Sequence, residues 1–351
     1  MKKFLLCLLI AFTAISSNAQ KNVNVDNYRF AYAYRALPKK PLNPMFFYYG
    51  IQINIPSTMS QIVDSEVLSG QLVIEGQRYT EELKADDILV DMYMQPVNIL
   101  STDIKERVEE IKDKEGKVTS RNYFYSVVVS YNFDAKAIVT QGENKVGNYI
   151  LKSRTQTLTY QSSEYSTSRA ASEYWKNNRE NMRENFTVEQ SNAAVKSLSQ
   201  LLTSDFGFAT IKTTDIIKTI NEKKHPENEP LRAMSDKLKS NLEAMDANTP
   251  LSEENIADII EYFKNIPVRY TDPKLKADVR LRYVAYYNLC KIYLHLDQPE
   301  KVKEYADLIL ENGHDKGDCK KMNSEAEKLI ERFNSSDIKT RHFDPETYFA
   351  D

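Results

Sequence analysis

The stretch Lys112-Asp113-Lys114-Glu115-Gly116-Lys117, with Tyr123-Phe124-Tyr125-Ser126-Val127-Val128-Val129-Ser130-Tyr131 behind it, decides how the first half of the chain folds. The first segment is a charged turn in which Gly116 is free to take a positive φ. The second is dense in Val and aromatic side chains, which suit a pleated, half-buried surface. Together they predict a hairpin between Asp103 and Phe133, two long strands joined by a solvated tip.

Upstream, Tyr28-Arg29-Phe30-Ala31-Tyr32-Ala33-Tyr34 alternates with the period of a strand and sets Tyr28, Phe30, Tyr32 and Tyr34 on one face. Pro38, Pro41 and Pro44 punctuate the turn that follows. Met45 to Ile55, Gln71 to Tyr79 and Ile88 to Leu100 read as further strands, and Ala135 to Val139 and Asn148 to Tyr160 continue the sheet. From Ser166 the period becomes helical. Thr187-Val188-Glu189-Gln190 fits a capping box, Val195, Leu198, Leu201 and Leu202 make an apolar stripe, and Gly207 stands where a left-handed cap belongs. Phe208 to Thr213 returns to strand, so residues 20–225 are expected to form a strand-rich mixed α/β sandwich domain.

Pro226-Glu227-Asn228-Glu229-Pro230 reads as a domain boundary, accessible and cleavable, because two prolines flank polar residues. Beyond it, Leu231, Met234, Leu238, Leu242 and Met245 form one helical face. Ser252 is placed to cap the next helix, whose inner stripe is Ile256, Ile259, Ile260 and Phe263. Residues 231–335 are expected to be all-α, with 336–351 as a C-terminal tail.

The N-terminus carries the pattern of a secretion signal. Lys2 and Lys3 precede an apolar run from Phe4 to Ile15, and Ser17-Asn18-Ala19 offers small residues for cleavage after Ala19. Export to the periplasm or cell envelope is the expectation, with no transmembrane span in the mature chain, because no later segment has a long uncharged apolar run. The 47 basic and 50 acidic residues nearly balance, so no nucleic-acid partner is expected. The composition holds 22 Tyr but only 9 Gly, which suits pleated surfaces better than phosphate-cradling loops.

Lys276 to Leu310 resembles a tetratricopeptide repeat: Tyr286, Leu289, Cys290 and Tyr293 take its helix-packing places, and Leu296-Asp297-Gln298-Pro299-Glu300 its turn. Val302 replaces the expected Ala, and His314 the closing Pro. With the flanking helices Glu253 to Ile266 and Asp318 to Phe333, the likeness spans about two repeats. Met322, Ala326, Leu329, Ile330 and Phe333 give the last helix the inner face of a cap. The chain as a whole resembles exported repeat-containing proteins of Gram-negative envelopes. The expected fold class is thus α+β, a strand-rich mixed α/β sandwich domain followed by an all-α tetratricopeptide-repeat-like helical domain.

Chemistry is sparse. His225, His295, His314 and His342 lack the spacing of a helical metal site, and no nucleophile elbow, phosphate loop or dinucleotide fingerprint occurs. No catalytic, metal-binding or cofactor-binding residue is assigned, and no cofactor. Asp86, Asp87 and Asp91 read as a solvated strand margin. Tyr28, Tyr32, Tyr34, Tyr48 and Tyr49 are candidate partner-binding residues, since flat amphipathic rings stack on sugars and proteins alike, with core packing as the plainer reading. Cys290 and Cys319 form a candidate disulfide, against two buried thiols. The functional expectation is an exported protein-interaction or scaffold module with a protein partner. The alternatives are a hydrolase acting on envelope or extracellular polymers and an envelope assembly or secretion factor.

Overall fold

The computed structural model describes residues 23–84 and 87–350; the segment read as a signal peptide lies outside them. In chain order the elements are β1 (Val25–Arg35), β2 (Tyr48–Asn54), α1 (Ser57–Ser60), α2 (Ser65–Gln71), β3 (Arg78–Tyr79), β4 (Ile88–Lys112), β5 (Val118–Gln141), β6 (Asn144–Lys152), β7 (Leu158–Gln161) and α3 (Ser168–Phe206). They are followed by β8 (Thr210–Ile220), α4 (Asn228–Ala244), α5 (Ala257–Arg269), α6 (Lys276–His295), α7 (Pro299–Asn312), α8 (Lys316–Ser336) and α9 (Pro345–Tyr348). The fold class is α+β, sheet-rich first and helical after.

The Tyr28 to Tyr34 alternation does make a strand, but its partner lies far along the chain. β1 pairs antiparallel with β8, from Val25 opposite Ile220 to Arg35 opposite Thr210. One unit therefore combines the described parts of Met1–Met45 and Phe206–Asp351, and the other is Phe46–Asp205. This corrects the expected division at Pro226: alternation reports a strand's faces, not its partner.

The expected linker is also built into the first unit. His225, Glu227 and Asn228 are buried. The Glu227 carboxylate accepts from the Tyr262 hydroxyl at 2.7 Å, the Tyr270 hydroxyl at 2.7 Å and Arg269 at 2.6 Å. Three donors offset the cost of burying that charge. Pro230 sits in the first turn of α4, where its missing N–H breaks no intrahelical bond.

In the same unit α4 packs on the β1–β8 ladder, and α5, α6, α7 and α8 pack each on the next. The α6–α7 turn forms as expected, with Asp297 at φ 56° and Val302 fully buried. The C-terminal residues do not form a free tail. Arg341 donates to Asp297 Oδ1 at 2.6 Å and to the Leu294 carbonyl at 2.6 Å, while Phe343 is buried and its amide donates to Ala247 O at 3.0 Å. Asn288, fully buried on α6, behaves like one residue of a third strand: its Oδ1 accepts from Lys218 N at 2.7 Å and its Nδ2 donates to Lys218 O at 2.8 Å.

The second unit is a six-stranded sheet of order β3-β2-β4-β5-β6, with β7 also on β5. β2 runs parallel to β4, and β4 antiparallel to β5. The expected hairpin forms around Asp113, whose Oδ1 accepts the Glu115 and Lys117 amides, with Gly116 at φ 84°. Between Gln71 and Tyr79, by contrast, only Arg78–Tyr79 is strand. Asp64 caps α2 through the Glu66 and Val67 amides and carries the helix to Gln71.

Helix α3 lies on the sheet, with Phe186 stacked on Tyr131 at 4.7 Å. It begins well before Thr187, so that residue is no cap: its hydroxyl donates to Arg183 O at 2.8 Å and accepts the Val97 amide at 3.2 Å. Val195, Leu198 and Leu202 are buried as expected, whereas Leu201 is 43% exposed. Gly207 does not take a positive φ, because the chain leaves α3 directly for β8.

Replacing Asn288 by Ala strands both Lys218 backbone groups and should lower stability by about 2 kcal/mol. Urea unfolding followed by circular dichroism measures this; an unchanged midpoint contradicts the bridging role.

Candidate functional site

The sequence-chosen tyrosines fall into two places. Tyr28, Tyr32 and Tyr34 are half-buried along β1 and engaged within the first unit. Tyr28 donates to Asp236 Oδ1 at 2.5 Å, Tyr32 stacks on Tyr34 at 5.6 Å, and the Arg341 guanidinium lies 4.9 Å above the Tyr34 ring. Their shared face packs within the unit, and Tyr28 also lines a cavity beside α4. The contacts of this stretch are those of a core and its rim.

Beneath that face lies a buried charged cluster that sequence reading missed. Asp215 Oδ2 of β8 stands 3.0 Å from Lys291 Nζ and 3.2 Å from His295 Nε2, both on α6, and Lys291 also reaches Glu325 of α8 at 3.5 Å. Lys291 and His295 are only 2% and 1% exposed. Phe30 and Tyr32 close over the imidazole with ring centroids at 5.4 and 4.4 Å. The spacing of four between Lys291 and His295 put both on one helical face, but only the distant Asp215 explains why. Burial alone raises the Asp215 carboxyl, yet the hydrogen bond from His295 and the charge of Lys291 outweigh it and hold the group well below the usual carboxylate range. Burial lowers the His295 imidazole despite Asp215. The neutral ring then donates from Nε2 to the carboxylate and leaves Nδ1 without a partner among the described residues. An Asp–His pair is what a general base requires, but this one is sealed under two aromatic rings. Its work is to lock β8 to α6 and, through Glu325, to α8.

Tyr48 and Tyr49 belong to the second unit. Tyr48 is 39% exposed and its hydroxyl accepts from Arg78 at 3.2 Å. Tyr49 is buried, accepts the Ile74 amide at 3.2 Å and meets Tyr79 edge-on at 5.9 Å. These two rings line a cleft of about 600 Å³ with Glu66, Ser69 and Glu81. Neither glutamate has an ion-pair partner among the described residues. Of the acidic group near β4, Asp86 lies outside the described residues, and Asp87 accepts the Lys84 amide at 2.6 Å, a turn contact. Cys290 and Cys319 are both free and buried; the Cys290 thiol lies 3.6 Å from the Val302 carbonyl, and Cys319 faces Asn323 at 3.7 Å. Among the described residues no cluster of His, Cys, Asp or Glu could hold a metal ion.

The most open feature is the distal part of the β4–β5 hairpin. β2 pairs with β4 only as far as Tyr93, and on the other side β7 reaches Val128 and an isolated bridge joins Tyr125 to Tyr165. Among the described residues no second strand flanks β4 over 101–112 or β5 over 118–124. Ile104, Val108 and Tyr123 share one face there, since Val108 stands opposite Tyr123 and Ile104 opposite Val127; they are 38%, 42% and 46% exposed. Glu106, Glu110 and Arg121 lie among them, with Arg121 bonded to Glu110 at 3.1 Å. Arg107, on the opposite face, stacks over Phe124 at 4.4 Å and pairs with Glu164 at 2.6 Å. This fixes the ribbon's base.

No protein-family model matches the chain, and no curated protein matches it. Among solved structures it is similar to the rare lipoprotein B from Shewanella oneidensis, at 8% identity over 43% of this chain and 95% of that one, with a TM-score of 0.19. It is also similar to a neuraminyllactose-binding hemagglutinin homolog from Helicobacter pylori, at 14% identity over 47% of this chain and 95% of that one, with a TM-score of 0.19. Likenesses at this level carry no argument about function.

The charged cluster makes stability depend on pH. With both the Asp215 and His295 values depressed on folding, the unfolded chain binds more protons, and stability rises with pH. The His295 contribution is lost as pH falls below the free-imidazole value of about 6.5, and that of Asp215 below about 4. His225, His314 and His342 are lowered by burial too, so a variant isolates the effect. Between pH 7 and 5, His295→Gln should take up fewer protons on unfolding than the parent protein, the difference growing towards at most about one as pH falls. Equal slopes of unfolding free energy against pH contradict the assignment.

Proposed function

We propose that this chain is a non-catalytic interaction module of the cell envelope, and that the distal β4–β5 ribbon is the element that engages its protein partner. The carrying observation is a two-stranded ribbon that, among the described residues, has no flanking strand over 101–112 and 118–124 and carries an exposed strip of Ile104, Val108 and Tyr123. Free strand edges template pairing with another chain. The many charges on 101–112 disfavour indiscriminate pairing and leave selection to a partner of matching charge. The helical run α5–α8, read as tetratricopeptide-repeat-like, supplies packed surface without a chemical centre. Export is part of this proposal and rests on the pattern from Lys2 to Ala19; no helix among the described residues is long and apolar enough to cross a membrane.

A photo-crosslinking residue placed at Val108 or Tyr123, in cells that make the protein, should yield a discrete adduct with another protein. The same residue at Glu180, exposed on α3, serves as the control. Adducts no stronger at the ribbon than at Glu180 contradict the proposal.

A further inference from the structure

A cavity at one end of the β1–β8 ladder has the lining of a binding site, and it is independent of the ribbon. It measures about 160 Å³ and lies where Asp26 stands opposite Thr219 in the ladder, beside the first two turns of α4. From α4 it receives Asn228, Arg232 and Ser235, spaced four and three apart and therefore on one helical face. Lys223 completes its charged lining.

Two buried hydroxyls distinguish this cavity from a surface dimple. Ser235 is 1% exposed, and among the described residues neither its Oγ nor the Thr219 Oγ1 has a hydrogen-bond partner. A serine inside a helix commonly returns its hydroxyl to the carbonyl four residues back, as Ser240 does to Asp236 O at 3.0 Å in this same helix. Ser235 does not. A buried polar group without a partner costs free energy that a bound group with complementary atoms recovers.

The charges define what that group is. Arg232 and Lys223 have no ion-pair partner among the described residues, and Asp26 is the single acid in the lining. Two cations against one anion in the lining leave room for one negative charge. A planar guanidinium suits a carboxylate bound through both oxygens. The volume admits only a few heavy atoms, since a water molecule occupies about 30 Å³ in the liquid.

We propose that this cavity binds a small monoanionic carboxylate bearing a hydroxyl group. Arg232 and Lys223 hold the carboxylate, the Ser235 and Thr219 hydroxyls donate to it, and Asp26 accepts from the ligand hydroxyl. Asp26 also disfavours a dianion such as phosphate.

Saturation-transfer difference NMR on the full mature chain tests this, with glycolate as the probe. Glycolate should give a saturable signal that inorganic phosphate displaces only weakly, and acetate, which lacks the hydroxyl, should bind less tightly. Arg232→Gln should weaken glycolate at least tenfold and Ser235→Ala by several-fold, with thermal melting as the check on folding. Arg232 is exposed, and Lys223→Gln provides a second exposed variant whose loss of binding is expected. The proposal is overturned by absence of a glycolate signal, by preference for phosphate over glycolate, or by unchanged binding in folded Arg232→Gln and Lys223→Gln proteins.

Discussion

The antiparallel ladder between Val25–Arg35 and Thr210–Ile220 is the constraint on which the rest depends. Bringing together segments so far apart in sequence costs loop-closure entropy, but that cost grows only logarithmically, about 0.6 kcal/mol per doubling of loop length. The ladder must therefore be anchored, not merely paired. Asn288 extends its hydrogen bonding onto α6, and Asp215 fixes it there through Lys291 and His295. Removing Lys291 would leave the largely buried Asp215 carboxylate without a cation, which is far costlier than losing an exposed pair.

Local features were readable in the sequence to the extent that one residue type permits one geometry. Gly116 and Asp113 announced their turn, Tyr28 to Tyr34 their alternation, and Ile256 to Phe263 their buried stripe, because each is decided within a few residues. The pairing of β1 with β8 was not readable, since any strand with the right faces suits β1. That one omission misplaced the division of the chain and made Pro226 to Pro230 look like a linker. Nothing local shows that Glu227 meets Tyr262, Tyr270 and Arg269.

The candidate sites follow the same rule. Tyrosines selected for their rings divided between internal packing at Tyr28, Tyr32 and Tyr34 and a cleft wall at Tyr49. The residues that matter most chemically, Asp215 with His295 and Ser235 with Arg232, carry no motif at all. Each acquires its character from a partner, or the lack of one, that only the folded chain supplies. Partners then separate their roles: Asp215 and His295 bond to each other and bind the structure together, whereas the Ser235 hydroxyl has no partner among the described residues and its side chain lines a cavity.

The discontinuous unit is tested most directly by native-state hydrogen exchange on the full chain across a denaturant series. Amides of β1 and β8 should share one opening free energy with α6, distinct from that of the β4–β5 ladder. Exchange of β1 together with β4 and β5, at a free energy different from that of β8 and α6, would contradict the account.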